Sequence, residues 1–169
     1  MDIRLFRRIY QFRENRYLRA FFRTVSFIGD GYFYFLFLIY MYFAETALFR
    51  RALYISLVAF GMELPLYRLL KNSIRRIRPF NTYQEIENMV LPPDEFSFPS
   101  GHTSAAFLVA MIVCHFFPSL CVVLFVYAFL VGLSRIYIGV HYPSDILAGA
   151  LFGSVIGLLS IYAVNRLFF

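Results

Sequence analysis

Charged side chains are scarce in this sequence. Only 15% of its 169 residues are Asp, Glu, Lys or Arg, against 60% hydrophobic and 21% aromatic. A soluble domain of this length cannot bury that much apolar surface, so the chain reads as an integral membrane protein. Cysteine is sparse too. Cys114 and Cys121 lie in apolar runs near Pro118, lack metal-ligand spacing, and read as small buried hydrophobes rather than a disulfide. No carboxylate cluster suits a divalent cation, so neither a metal nor another cofactor is expected. Internal repeats and a second domain are also missing, and residues 1–169 read as one membrane-embedded domain.

A secretory signal is not expected either. The first 23 residues carry seven arginines (Arg4, Arg7, Arg8, Arg13, Arg16, Arg19, Arg23), which leave no clean apolar core before a cleavage site. Phe6, Ile9, Tyr10, Phe12, Tyr17, Leu18, Phe21 and Phe22 are interleaved with them. The segment reads as a basic amphipathic helix on anionic lipid headgroups, or equally as a topology-setting basic tail. Nucleic-acid binding is a poor account of the +6 net charge, because the remaining chain is mostly apolar.

What is present is a series of apolar runs. Five spans are predicted: Thr24–Phe43, Ala52–Leu70, Thr103–Phe117, Leu120–Ile138 and Ile146–Val164. The fold class is therefore all-α, a membrane helical bundle of about five transmembrane helices plus the N-terminal amphipathic helix. Small residues at every fourth position of the last span (Gly149, Gly153, Gly157) predict close helix packing. The only long polar segment, Lys71–Ser100, holds four of the seven prolines and four of the ten acidic residues. Alternation of spans puts this loop, the Arg135–Asp145 turn and the N-terminus on one membrane face. Glu63 in the second span and Glu45 after the first could mark an ion path. Pairing of Glu63 with Arg68, where Pro65 opens the helix, is the better reading.

Three polar segments gather on that face. In KNSIRRIRP, Lys71 and Arg78 are seven residues apart, nearly one helical face if the second span continues. Pro79 biases Arg78 away from helix, and two cations at a helix end suit a bound anion or, taken alone, topology and lipid headgroups. In FPSGH, Ser100 is the predicted N-cap of the third span, whose free N–H groups suit phosphate oxygens. Gly101 allows close approach to the backbone, and His102 lies in the first turn. In SRIYIGVHYPSD, Pro143 opens the fifth span, with Tyr142 near its cap, His141 just outside and Asp145 in its first turn. A carboxylate there can accept from one imidazole nitrogen and leave the other more basic. Arg135 adds a third cation.

The order Lys-x6-Arg-Pro, Pro-Ser-Gly-His, Ser-Arg-x5-His-x3-Asp closely resembles the three signature motifs of the type 2 phosphatidic acid phosphatase superfamily. That superfamily includes membrane lipid phosphatases, soluble bacterial acid phosphatases and vanadate haloperoxidases. All three motifs are complete, and the resemblance extends over about Phe21 to Val164. It implies that Lys71, Arg78, Arg135, Ser100 and Gly101 hold the phosphate. It further implies that His141 attacks phosphorus, Asp145 orients His141, and His102 protonates the leaving group and then activates water. The expected reaction is metal-independent hydrolysis of a lipid phosphate or diphosphate held in the bilayer. The alternatives are a lipid-to-lipid phosphotransferase using the same site and, more distantly, a non-catalytic scaffold or transporter. Many bacterial relatives have six spans, and this chain reads as starting at the amphipathic segment that follows their first. The arginine-rich N-terminus points the catalytic face towards the cytoplasm. The family pattern, a multi-pass cell-membrane protein with its site on the periplasmic or extracellular face, is the expectation kept.

Overall fold

The computed structural model of the chain describes residues 2–29, 31–44, 46–92 and 94–168. They form eight helices: α1 (Asp2–Tyr10), α2 (Arg16–Ile28), α3 (Tyr32–Ala44), α4 (Thr46–Ile74), α5 (Pro79–Thr82), α6 (Gly101–Phe116), α7 (Cys121–Tyr137) and α8 (Pro143–Phe168). The only β-type pairing among the described residues is an isolated bridge between Ile77 and Phe96. Three segments, Leu48–Ile74, Pro118–Tyr137 and Pro143–Phe168, are long and apolar enough to cross a membrane. Two shorter apolar helices, Tyr34–Phe43 and Gly101–Phe116, accompany them. The molecule is an all-helical membrane bundle.

The last four expected spans correspond to α4, α6, α7 and α8. The first does not survive as one helix. It is interrupted at Gly29 and Gly31, the latter at φ 98°, where only glycine sits without strain. Residues before the break belong to α2, and α3 keeps 13 residues, about 20 Å of helix against a hydrocarbon core of ~30 Å. Glu45 lies outside the described residues. In α4 the helix continues through Pro65.

The N-terminal segment is two helices rather than one. Asn15 ends the first stretch and caps the second, its side chain accepting from Tyr17 N at 3.0 Å and Leu18 N at 3.1 Å. The apolar face of α1 lies on protein, not lipid. Phe6 and Tyr10 are buried against Ile86, Ile136 and Ile146, and Tyr10 Oη donates to Glu87 O at 2.9 Å. Thus α1 covers the loop after α4. On α2, Tyr17 and Phe21 remain exposed and suit the headgroup region.

The centre of the bundle is the contact between α6 and α8, and glycine makes it possible. A Cβ added at Gly149 would stand 2.5 Å from Ser100 O, at Gly153 2.0 Å from Ser104 O, and at Gly157 2.8 Å from Met111 Cβ. Leu147, Leu151 and Val155 on the other face of α8 stay exposed, as a lipid-facing row should. The helix is polarised by side-chain size, since both faces are apolar. Gly153→Ala should therefore push backbone against backbone and destabilise the protein by about 1–3 kcal/mol or more. Gly61→Ala, with nothing within 4 Å of the new methyl, should be neutral or slightly stabilising. Thermal unfolding of both variants in detergent checks the contrast.

Candidate active site

The turn between α7 and α8 is fixed by local chemistry. Gly139, at φ 86°, lets the chain pass Glu87, whose carbonyl would lie 2.7 Å from a Cβ there. The N–H groups of Val140 and His141 both donate to Arg135 O at 3.2 Å. Pro143 then opens α8, and Asp145 Oδ2 reaches back to accept from Tyr142 N at 2.8 Å. This holds His141 and Asp145 side by side and buried, with Nδ1 3.6 Å from Asp145 Oδ2. That separation is within ion-pair range and just beyond a hydrogen bond. The other ring nitrogen, Nε2, faces Arg78 Nη1 at 3.4 Å.

Burial lowers the His141 pKa to about 3. The nearby charges of Arg78 and Arg135 act in the same direction, and Asp145 opposes them. The imidazole is therefore neutral at physiological pH. A proton on Nδ1, towards Asp145, leaves the Nε2 lone pair aimed at the cations.

The second segment docks on this turn. Ser100 N donates to Asp145 O at 3.0 Å, and Ser100 Oγ accepts from Thr103 Oγ1 at 2.9 Å. Ser100 occupies the N-cap position without a side-chain capping bond. His102 follows in the first turn of α6 and is partly exposed. Gly101 has an additional reason to be glycine: a Cβ would meet the Tyr67 ring at 2.9 Å.

The first segment is assembled differently from the expected two-turn spacing. Helix α4 ends at Ile74, where Arg75 turns left-handed at φ 49°. Lys71 is thus in its last turn, while Arg78 stands in extended chain at the cap of α5. The chain folds back, Ser97 N donating to Arg76 O at 2.8 Å, and the two cations meet at one carboxylate, Asp94. Lys71 Nζ bonds Asp94 Oδ2, and Arg78 Nη2 bonds Asp94 Oδ1. Tyr67 Oη also donates to Oδ2 at 2.9 Å. Arg78 Nη1 donates to Val140 O at 2.8 Å. The Arg135 guanidinium is buried beside His141 and donates to Ser26 Oγ at 2.6 Å.

The predicted residues therefore share one end of the bundle. Four more contribute that sequence reasoning missed. Asp94 and Tyr67 complete the cation pair. Arg76 Nη1 donates to Asp145 Oδ1 at 2.8 Å and to Ser144 Oγ at 2.6 Å, and its other arm reaches Asp2. Its guanidinium lies 3.9 Å from the Tyr142 ring centroid. Asp2 Oδ1 accepts from Ser144 N at 3.0 Å, near the start of α8. Glu63 pairs with Ser104 Oγ at 2.8 Å rather than with Arg68, which is exposed.

A family model described as the PAP2 superfamily matches residues 52–169, more than half of the chain. This chain belongs to the PAP2 superfamily. Among its relatives, the bacitracin transport permease protein BcrC of Bacillus licheniformis is 30% identical over 148 residues, 86% of this chain and 73% of that protein. An undecaprenyl-diphosphatase of Sulfolobus acidocaldarius is 33% identical over 129 residues, covering 72% of this chain and 63% of the relative. The phosphatidylglycerophosphatase B of Bacillus subtilis is 34% identical over 116 residues, and this chain spans 54% of its length. The crystal structure of Aquifex aeolicus LpxE superposes with a TM-score of 0.83 at 32% identity, over 95% of this chain and 94% of that one. As a PAP2 protein with named phosphatases among its relatives, the chain is in class a lipid phosphatase.

In this PAP2 site Arg76 touches Asp145, so it orients and neutralises that carboxylate. Arg76→Met should lower kcat about 10–100-fold, the loss of a charge-assisted bond, with a smaller change in KM. A second prediction concerns pH. Between the lowered pKa of buried His141 and the ordinary imidazole value of about 6.5, the unfolded chain binds the extra proton. Stability contributed by neutral His141 is thus present above pH ~6.5 and lost on acidification below it. His141→Asn should flatten the fall of Tm from pH 7 to pH 4.5, measured in detergent.

Proposed function

We propose that the chain hydrolyses the terminal phosphate of a lipid phosphate monoester or diphosphate through a phosphohistidine on His141, without a metal ion. The observation that carries this reading is the placement of His141. It is neutral, its Nδ1 faces Asp145, and its Nε2 faces Arg78. Lys71, Arg78 and Arg135, with Ser100 and the backbone N–H groups at the start of α6, hold the phosphate and stabilise its equatorial charge. His141 Nε2 attacks phosphorus in line, and the bond to the leaving oxygen breaks as His102 donates its proton to that oxygen. Asp145 stabilises the positive charge that develops on the His141 ring. Neutral His102 then takes a proton from water, the resulting hydroxide attacks the phosphohistidine, and orthophosphate leaves as His141 is regenerated.

The lipid class follows from the body that carries the site. A headgroup phosphate lies at the end of the bundle while its tails remain beside exposed apolar helix faces. Relatives named for undecaprenyl diphosphate, phosphatidylglycerophosphate and lipid A support that class. Phosphatidic acid completes the substrate panel. Transfer of the phosphoryl group to a second lipid is the rival outcome, read as labelled lipid product in place of orthophosphate.

Orthophosphate release from that panel in detergent should be abolished by His141→Ala and severely slowed by Asp145→Asn. Vanadate should inhibit competitively and EDTA should have no effect. Near-normal release by His141→Ala overturns the reading, as does loss of activity in EDTA that magnesium restores.

The site is proposed to face away from the cytoplasm in a multi-pass cell-membrane protein. Asn81 lies near the catalytic end, and Arg166 lies at the far end of α8, about 30 Å or more along the helix. In a background lacking Cys114 and Cys121, an impermeant thiol reagent on intact cells should label Asn81→Cys and spare Arg166→Cys. The reverse pattern would put the site in the cytoplasm.

A further inference from the structure

The contact that the motifs do not account for is Asp94. Both of its carboxylate oxygens are taken, Oδ1 by Arg78 and Oδ2 by Lys71 and Tyr67. A carboxylate spanning two cations in this way uses the same donors that two oxygens of a phosphate would use. Lys71 and Arg78 are almost fully buried, whereas the Asp94 side chain is 34% exposed. Asp94 therefore stands on the open side of the pair, between the cations and the outside. Its backbone carbonyl is held separately by Arg78 Nε at 3.2 Å. Displacing the carboxylate does not require breaking this backbone bond.

Charge decides what can displace it. Among the described residues, Lys71, Arg76, Arg78 and Arg135 gather here with Asp2, Asp94 and Asp145. With Asp94 turned away, four cations face two carboxylates. A dianionic phosphate monoester or a diphosphate neutralises that excess. A monoanionic phosphodiester replaces one unit of charge with one unit and gains nothing over a tethered carboxylate. The tether gives Asp94 an effective concentration in the millimolar range or above. Burial alone would raise the Asp94 carboxyl. Hydrogen bonds and charge from Lys71, Tyr67 and Arg78 outweigh it and hold the pKa below the ordinary carboxylate value, so the group is ionised at neutral pH.

We propose that Asp94 is a specificity-determining residue: its carboxylate occupies the Lys71–Arg78 anion position and yields it to terminal phosphates but not to the phosphodiester headgroups of bulk membrane lipids. A cationic pocket at a bilayer surface is surrounded by such diesters, and without a tethered competitor they would occupy it. The inference rests on the phosphate-binding role proposed above for Lys71 and Arg78.

The test compares full-length wild type with Asp94→Asn, which keeps shape and removes charge. Hydrolysis of phosphatidic acid is measured in dodecyl maltoside micelles with rising mole fraction of phosphatidylglycerol, each variant normalised to its own uninhibited rate. The inhibition constant for phosphatidylglycerol should fall at least tenfold in Asp94→Asn, and Asp94→Glu should restore most of the resistance. Equal sensitivity of wild type and Asp94→Asn overturns the proposal, as does greater resistance in the variant. If Asp94→Asn turns over too slowly to assay, the rise in Tm produced by phosphatidylglycerol micelles decides instead. A larger rise in the variant supports the proposal, and an equal or smaller one, or a variant that does not fold, overturns it. Wild-type hydrolysis in plain micelles, lost in His141→Ala, reports on the function separately. Its failure would be visible before any diester is added.

Discussion

The site depends on α6 and α8 meeting backbone to backbone at its mouth. Gly149 and Gly153 bring the α8 backbone against the carbonyls of Ser100 and Ser104. That approach allows Ser100 N to bond the Asp145 carbonyl. The motif at the start of α6 and the motif at the start of α8 are thus fixed to each other through backbone. In lipid, where apolar side chains gain little by leaving a solvent as apolar as themselves, such close packing is the available source of rigidity.

The second constraint is charge. Lys71, Arg78 and Arg135 are almost fully buried, and buried cations without partners would be strongly destabilising. Asp94, on the loop after α4, bonds both Lys71 and Arg78, and Arg135 donates to Ser26 Oγ of α2. Arg76 beside them is held by Asp2 of the N-terminal helix and by Asp145 in the first turn of α8. This explains why α1 lies over the loop instead of only on lipid. It carries Asp2 to Arg76 and Ser144 and anchors Phe6 and Tyr10 on the far side of the same loop. The N-terminal helix thereby becomes part of the catalytic end.

The sequence made much of this legible. Apolar runs declare α4, α6, α7 and α8, and the every-fourth glycine pattern declares the tight face of α8. His102, His141, Asp145, Arg135, Lys71 and Arg78 could be named because each sits at a helix end with chemistry a bare span does not need. The geometry joining Lys71 to Arg78 was not legible, since it depends on Arg75 ending the helix and on the chain returning past Ser97. Arg76 and Asp94 were hidden for a related reason. In a polar stretch, nothing local distinguishes an arginine that holds Asp145 from one left in water. The break at Gly29 and Gly31 was masked by strongly apolar flanks, which read as one span when only hydropathy is counted.

The mechanism turns on His141 becoming covalently phosphorylated. Rapid acid-free quenching of the enzyme with a labelled lipid phosphate, followed by peptide mapping, tests this directly. The label is predicted on His141, stable to base, labile to acid, and accumulating when the basic role of His102 is removed by His102→Ala with an activated leaving group. Phosphate released in a burst-free reaction with no labelled peptide, or label found on His102, would contradict it.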